Sequence, residues 1–134
     1  KKVVEKITVN PAYYSKMSKV LEQLILDRKK GVLKYEELLE KYIELAKKVT
    51  VPEENTHYPE SVRQSEALRA IYDNFGEDEE LAVAIHSTVI SVKQDGFRTN
   101  VVKSNQIMRA LFKVLNDENE VERLFQLIVE QEEY

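Results

Sequence analysis

The sequence predicts an all-α fold, a six-helix bundle built from an antiparallel helix hairpin and a four-helix cluster. Three observations carry this. Apolar residues recur at three- and four-residue spacing through most of the chain, the period of a helix face and not of a strand. Only three Gly and three Pro occur in 134 residues, too few turns for a fold of many short strands. The links between periodic segments are short, which favours antiparallel neighbours. Composition agrees: 43% hydrophobic and 33% charged residues describe one globular domain with a modest core.

The elements follow in order. Residues 1–9 (Val3, Val4, Ile7 and Val9 among charges) read as a short strand or, preferably, as the end of an upstream linker or helix, so that the chain is a cut from something longer. Residues 10–134 read as one helical domain. Asn10-Pro11 starts the first helix, with Asn as cap and Pro where no N–H is needed. Tyr13, Met17, Val20, Leu21 and Leu24 form its expected inner face, and Gly31 ends it after Arg28, Lys29 and Lys30. The second helix spans residues 35–49, with Tyr35, Leu38, Leu39, Tyr42, Ala46 and Val49 facing inward. Residues 50–60, with Pro52 and Pro59, form an irregular segment, either a linker or a packed loop held by Tyr58; the packed loop is preferred.

The third helix starts at Ser61 or Ser65, buries Leu68, Ile71, Tyr72 and Phe75, and ends at Gly76. The fourth starts with the acids of residues 77–80 at its positive end. It runs through Leu81, Ile85, Val89 and Val92, and its apolar character makes it the expected centre of the core. A polar turn over residues 94–100 follows. The fifth helix covers residues 104–115, with Ile107, Met108, Leu111, Phe112 and Leu115 inward and Gln106, Arg109 and Lys113 on an outward stripe. Asp117 and Glu120 resemble a capping box for a sixth helix that buries Val121, Leu124, Phe125 and Ile128. The last five residues are expected to fray.

Several chemistries are excluded or unsupported. With no Cys in the chain there is neither disulfide nor thiolate chemistry, and its absence fits a reducing compartment. No apolar run is long enough for a membrane span, so no membrane partner is expected. No phosphate-binding GxxxxGK[ST] loop, GxGxxG or HExxH motif occurs. His57 and His86 are far apart in sequence and read as ordinary histidines. No catalytic, cofactor-binding or metal-binding residue emerges.

Charge is unevenly spread. Between Lys93 and Lys113 there are five cations and one acid, whereas residues 117–134 hold seven acids and one cation, in a chain of net charge −4. The candidate contact surface is therefore Lys93, Gln94, Phe97, Arg98, Asn100, Lys103, Arg109 and Lys113. Arg and Lys suit phosphates or acidic partners, and Phe97 can pack on a partner or stack on a base. Equally, Phe97 can fold back as a plug under the turn, leaving the cations solvated. The acidic whole weakens a nucleic-acid reading.

Three segments carry a resemblance. They are Thr8-Val9-Asn10-Pro11-Ala12-Tyr13-Tyr14-Ser15-Lys16-Met17-Ser18; Tyr58-Pro59-Glu60-Ser61 with Arg69-Ala70-Ile71-Tyr72-Asp73-Asn74-Phe75-Gly76; and Ser91-Val92-Lys93-Gln94-Asp95-Gly96-Phe97-Arg98. In this order the chain resembles the C-terminal helical region of the restriction (motor) subunit of type I restriction-modification enzymes. It departs from that family at Phe97, Thr99 and His86, where Trp, Gly and an acid are the commoner residues. The resemblance implies a cytoplasmic parent that cleaves DNA and translocates duplex using ATP and Mg²⁺, through domains whose motifs are not in this chain. It implies a non-catalytic assembly domain, with the methyltransferase and specificity subunits as partners. A module that contacts the backbone of duplex DNA and a purely structural scaffold are the alternatives.

Overall fold

The computed structural model describes residues 7–134, and within them the chain is helical with no strand. The expectation for the N-terminal segment therefore lies mostly outside the described residues, though residues 7–9 are helical. Seven α-helices follow: α1 (Pro11–Lys29), α2 (Tyr35–Thr50), α3 (Glu60–Arg63), α4 (Glu66–Asn74), α5 (Glu79–Val92), α6 (Val101–Leu115) and α7 (Glu118–Val129). Two 3₁₀ turns, Pro52–Glu54 and Phe97–Thr99, interrupt the connections.

Local signals set most boundaries. The Asn10 side chain accepts from the Tyr13 N–H at 3.3 Å, and Asp78 accepts from Leu81 N–H at 3.1 Å. Asp117 Oδ1 accepts from both Asn119 and Glu120, while the Glu120 carboxylate turns outward to Arg123 and leaves the capping box half-made. The fifth expected helix starts three residues early because Asn100 caps it, accepting from Lys103 N–H at 3.0 Å. The third expected helix is two. Ser65 caps α4 by accepting from Leu68 N–H at 3.1 Å, whereas Ser61 lies inside the short α3 and its hydroxyl binds Glu79.

α1 and α2 pair as the expected antiparallel hairpin, and α1 also lies on α4. The rest is a cluster in which α5 packs on α4 and α6, α7 packs on α6 and α4, and α3 braces α4 and α5. The centre is α4 and not the more apolar α5. Six consecutive residues of α4, from Ala67 to Tyr72, are buried, whereas α5 leaves Val83 and Ile90 partly in solvent. Small Ala67 and Ala70 admit neighbours on several sides, so a nine-residue helix of mixed composition becomes the hub.

The hairpin buries less than its sequence offers. Tyr13, Met17 and Leu24 are buried, but Val20 and Leu21 are exposed. On α2 Leu45 is the buried residue, Leu38, Tyr42 and Val49 are half-buried, and Tyr35, Leu39 and Ala46 face solvent. The reason is coverage: α2 packs on α1 and on the Pro52–Glu54 turn, so one stripe meets a neighbour where the apolar pattern is wide enough for two.

The tail is the clearest departure from expectation, since it packs instead of fraying. The Glu133 carboxylate accepts from Ser65 Oγ and from Ala67 N–H at 2.8 Å, capping the positive end of α4. Gln131 donates to Val9 O at 2.9 Å, and the buried Tyr134 hydrogen-bonds His86. Replacing Glu133 by Ala is expected to cost about 1 kcal/mol, the loss of a helix cap, read from urea unfolding. Burial holds His86 below its ordinary value of 6.5, against the opposing pull of Glu133. The unfolded chain then binds this proton more readily than the folded one, so the contribution is complete above that value and is lost as the pH falls below it. Unfolding free energy should drop as the pH falls through and below 6.5, and His86→Gln should remove part of the drop.

Candidate functional site

The turn after α5 is where the sequence concentrates its cations. Gly96 sits at φ 76°, the left-handed region that a side chain disfavours, and reverses the chain there. Phe97 then enters the core at 1% exposure, edge-on to Phe125 with ring centroids 6.2 Å apart. It is the plug of the turn and presents no ring to a partner. Arg98 lies over the Phe97 ring at 4.6 Å and donates to Val129 O at 2.8 Å and Gln131 O at 2.6 Å. Its charge thereby ties down the carbonyl end of α7.

Three more of the named residues have internal work. Asn100 caps α6; Gln94 donates to Gln106 at 2.7 Å; Lys103 donates to Asp95 O at 2.7 Å. Lys93 is the C-cap residue of α5 and half-buried. Thus the turn mostly holds itself and the end of α7 in place. Arg109 and Lys113 are different: both are exposed on α6.

These two cations border a groove of about 630 Å³ between α6 and α7. Met108, Phe112 and Val121 supply its apolar lining, Arg109 and Lys113 one charged wall, and Glu118 and Glu122 the other. Phe112, expected in the core, is 42% exposed here because the α6–α7 crossing covers only Ile107 and Leu111 fully. Val101, Met108 and Phe112 are seven and four residues apart, so one stripe of α6 runs apolar from its first residue into the groove. Sequence reading found the basic wall but not the groove. Its acidic wall belongs to the next helix, and Phe112 carries a core residue's signature.

A second polar cluster lies under the hairpin. The Asp73 side chain, 5% exposed, receives His57 Nε2 on Oδ1 at 3.0 Å, and Asn10 Nδ2 at 2.8 Å and the Tyr58 hydroxyl on Oδ2. Asn74 donates to Asn10 Oδ1 at 2.8 Å, and the His57 ring packs 3.8 Å from that of Tyr58. Burial and the neighbouring Asp73 push the Tyr58 phenol upward, so it stays a donor. An oxygen of Glu77 lies within 4.8 Å of ligand atoms of His57 and Asp73. That set has the composition to hold a divalent cation, yet Asp73 is already occupied by three donors and Glu77 pairs with Lys16 at 3.2 Å. Structural hydrogen bonding accounts for the cluster. Nothing in the sequence singles out Asp73, because its partners lie on distant segments.

The two regions should respond differently to substitution. Asp73→Ala leaves the buried donors of Asn10 and Tyr58 and the half-buried His57 unanswered and is expected to cost about 3 kcal/mol. Phe97→Ala should cost about 3–5 kcal/mol. Arg109→Glu with Lys113→Glu should change stability by less than about 1 kcal/mol. Denaturant unfolding of the three variants checks all of this. Comparison with protein-family models, with curated proteins and with solved structures finds no match to this chain.

Proposed function

We propose that this chain is a docking domain, non-catalytic itself, of the kind that seats the motor subunit of a type I restriction enzyme on its methyltransferase–specificity core. The three ordered segments that resemble that subunit's C-terminal region support the family. The α6–α7 groove is the observation that carries the docking role. Its apolar lining between a cationic and an anionic wall fits an amphipathic protein segment better than a nucleic-acid backbone. The partner would lay apolar side chains on Met108, Phe112 and Val121, acids toward Arg109 and Lys113, and bases toward Glu118 and Glu122. Phosphates of duplex DNA would meet Glu118 and Glu122 as well as the cations, which disfavours the DNA-backbone alternative. In this reading the chain needs no cofactor, and the ATP and Mg²⁺ of the parent act elsewhere. Among the described residues no helix is long and apolar enough to cross a membrane. The same reading puts the protein in the cytoplasm.

The test is binding of the purified chain to the cognate methyltransferase–specificity complex, with and without DNA, across a salt series. Binding without DNA is expected, weakened about tenfold or more by Arg109→Glu with Lys113→Glu or by Phe112→Ala. Binding to duplex alone, falling steeply with salt through counterion release, would replace this reading with the DNA-backbone one. No binding to either would leave a scaffold.

A further inference from the structure

Among the described residues, the α1–α2 hairpin leaves one broad side uncovered. Leu21 and Ile25 on α1 are 37% and 41% exposed, and Tyr35 and Leu39 on α2 are 60% and 47% exposed. Each pair is four residues apart, hence a ridge on its helix. Antiparallel pairing turns both ridges to the same side of the hairpin. Between the helices on that side runs a groove of about 500 Å³, edged by Tyr14 and Leu21 and floored by Met17, Leu45 and Val49. Single exposed hydrophobics are ordinary, but a contiguous apolar side along two helices is a contact surface.

We propose that this side seats a second copy of the same hairpin, so that two chains form a symmetric dimer through a four-helix bundle. Shape is the first argument: an antiparallel hairpin is the natural half of such a bundle. A two-fold axis along the helices lays each α1 antiparallel on the other copy's α2, making every neighbouring pair antiparallel. Charge is the second. α1 carries four cations and two acids, whereas α2 carries four acids and three cations. At the hairpin tip this pairing sets Lys29 of each copy against Glu36 and Glu40 of the other, which flank the Tyr35–Leu39 ridge, and the symmetry makes the match twice; Arg28 and Glu37 are held within their own chain, by Leu33 O and Lys34 N–H. The inference uses none of the α6–α7 residues and stands independently of the docking reading.

Sedimentation velocity of the whole chain, from micromolar to near-millimolar concentration, tests it. The wild type is expected to dimerise. Leu39→Glu and Ile25→Glu, both at exposed positions, should each raise the dissociation constant at least about tenfold while far-UV circular dichroism stays unchanged. Lys29→Glu should weaken the dimer, and adding Glu36→Lys with Glu40→Lys should restore it. A chain monomeric at every concentration overturns the proposal and leaves this side to a different protein. A dimer indifferent to both Leu39→Glu and Ile25→Glu overturns it too. Failure of the charge restoration overturns the seating of α1 on α2.

Discussion

The buried carboxylate of Asp73 is the constraint on which the rest of the arrangement depends. An acid in a helical core is costly unless its oxygens are occupied. Here the donors come from Asn10, His57 and Tyr58, so one side chain of α4 fixes the start of α1 and the proline-bounded loop at once. Tyr13 extends the same network, donating to Lys48 O at 2.6 Å near the end of α2 and receiving Asn55 at 3.2 Å. The hairpin is thus anchored at its base by polar contacts and grows away from the cluster, which is why its far half keeps apolar residues in solvent.

Helix ends are tied by charged side chains from elsewhere in the chain. Arg98 over Phe97 holds the carbonyl end of α7, and Arg123 repeats the device, lying 4.0 Å over Phe75 and donating to Asn74 O, at the last residue of α4, at 2.9 Å. Glu133 answers the positive end of α4. In each case a full charge meets the partial charge of unsatisfied backbone groups, where it is worth most. The consequence for function is selection. Cations recruited to these ends are lost to any partner, and those remaining at the surface of α6 are Arg109 and Lys113.

Among the described residues two apolar grooves therefore survive folding, and both exist for the same reason. An apolar helix face wider than its neighbours cover is left partly in solvent, on α6 beyond its contacts with α5 and α7 and on the hairpin away from the cluster. The groove between α6 and α7 adds opposed charges to its walls and reads as a place for a partner of mixed charge. The hairpin side has no such walls, and its charge difference lies between its own two helices. That contrast underlies the proposal of a different protein as partner for the first surface and of a second copy for the other.

Fold class, the hairpin, and the caps at Asn10, Ser65 and Asp117 were legible in the sequence, because each depends on residues within about one helical turn. The basic stretch was legible for the same reason, as was the absence of familiar catalytic motifs. The roles within it were not. Phe97 and Phe112 look alike as aromatic residues in helical surroundings, yet one plugs the core and the other is left at a groove, since burial depends on which helix crosses above. The packed tail, the hub position of α4 and the Asp73 network likewise escaped the sequence, because each joins groups far apart along the chain. What the sequence by itself determined was where helices form and which faces are apolar. Only the tertiary structure decided which of those faces is covered, because that depends on the number of neighbours and not on the residue.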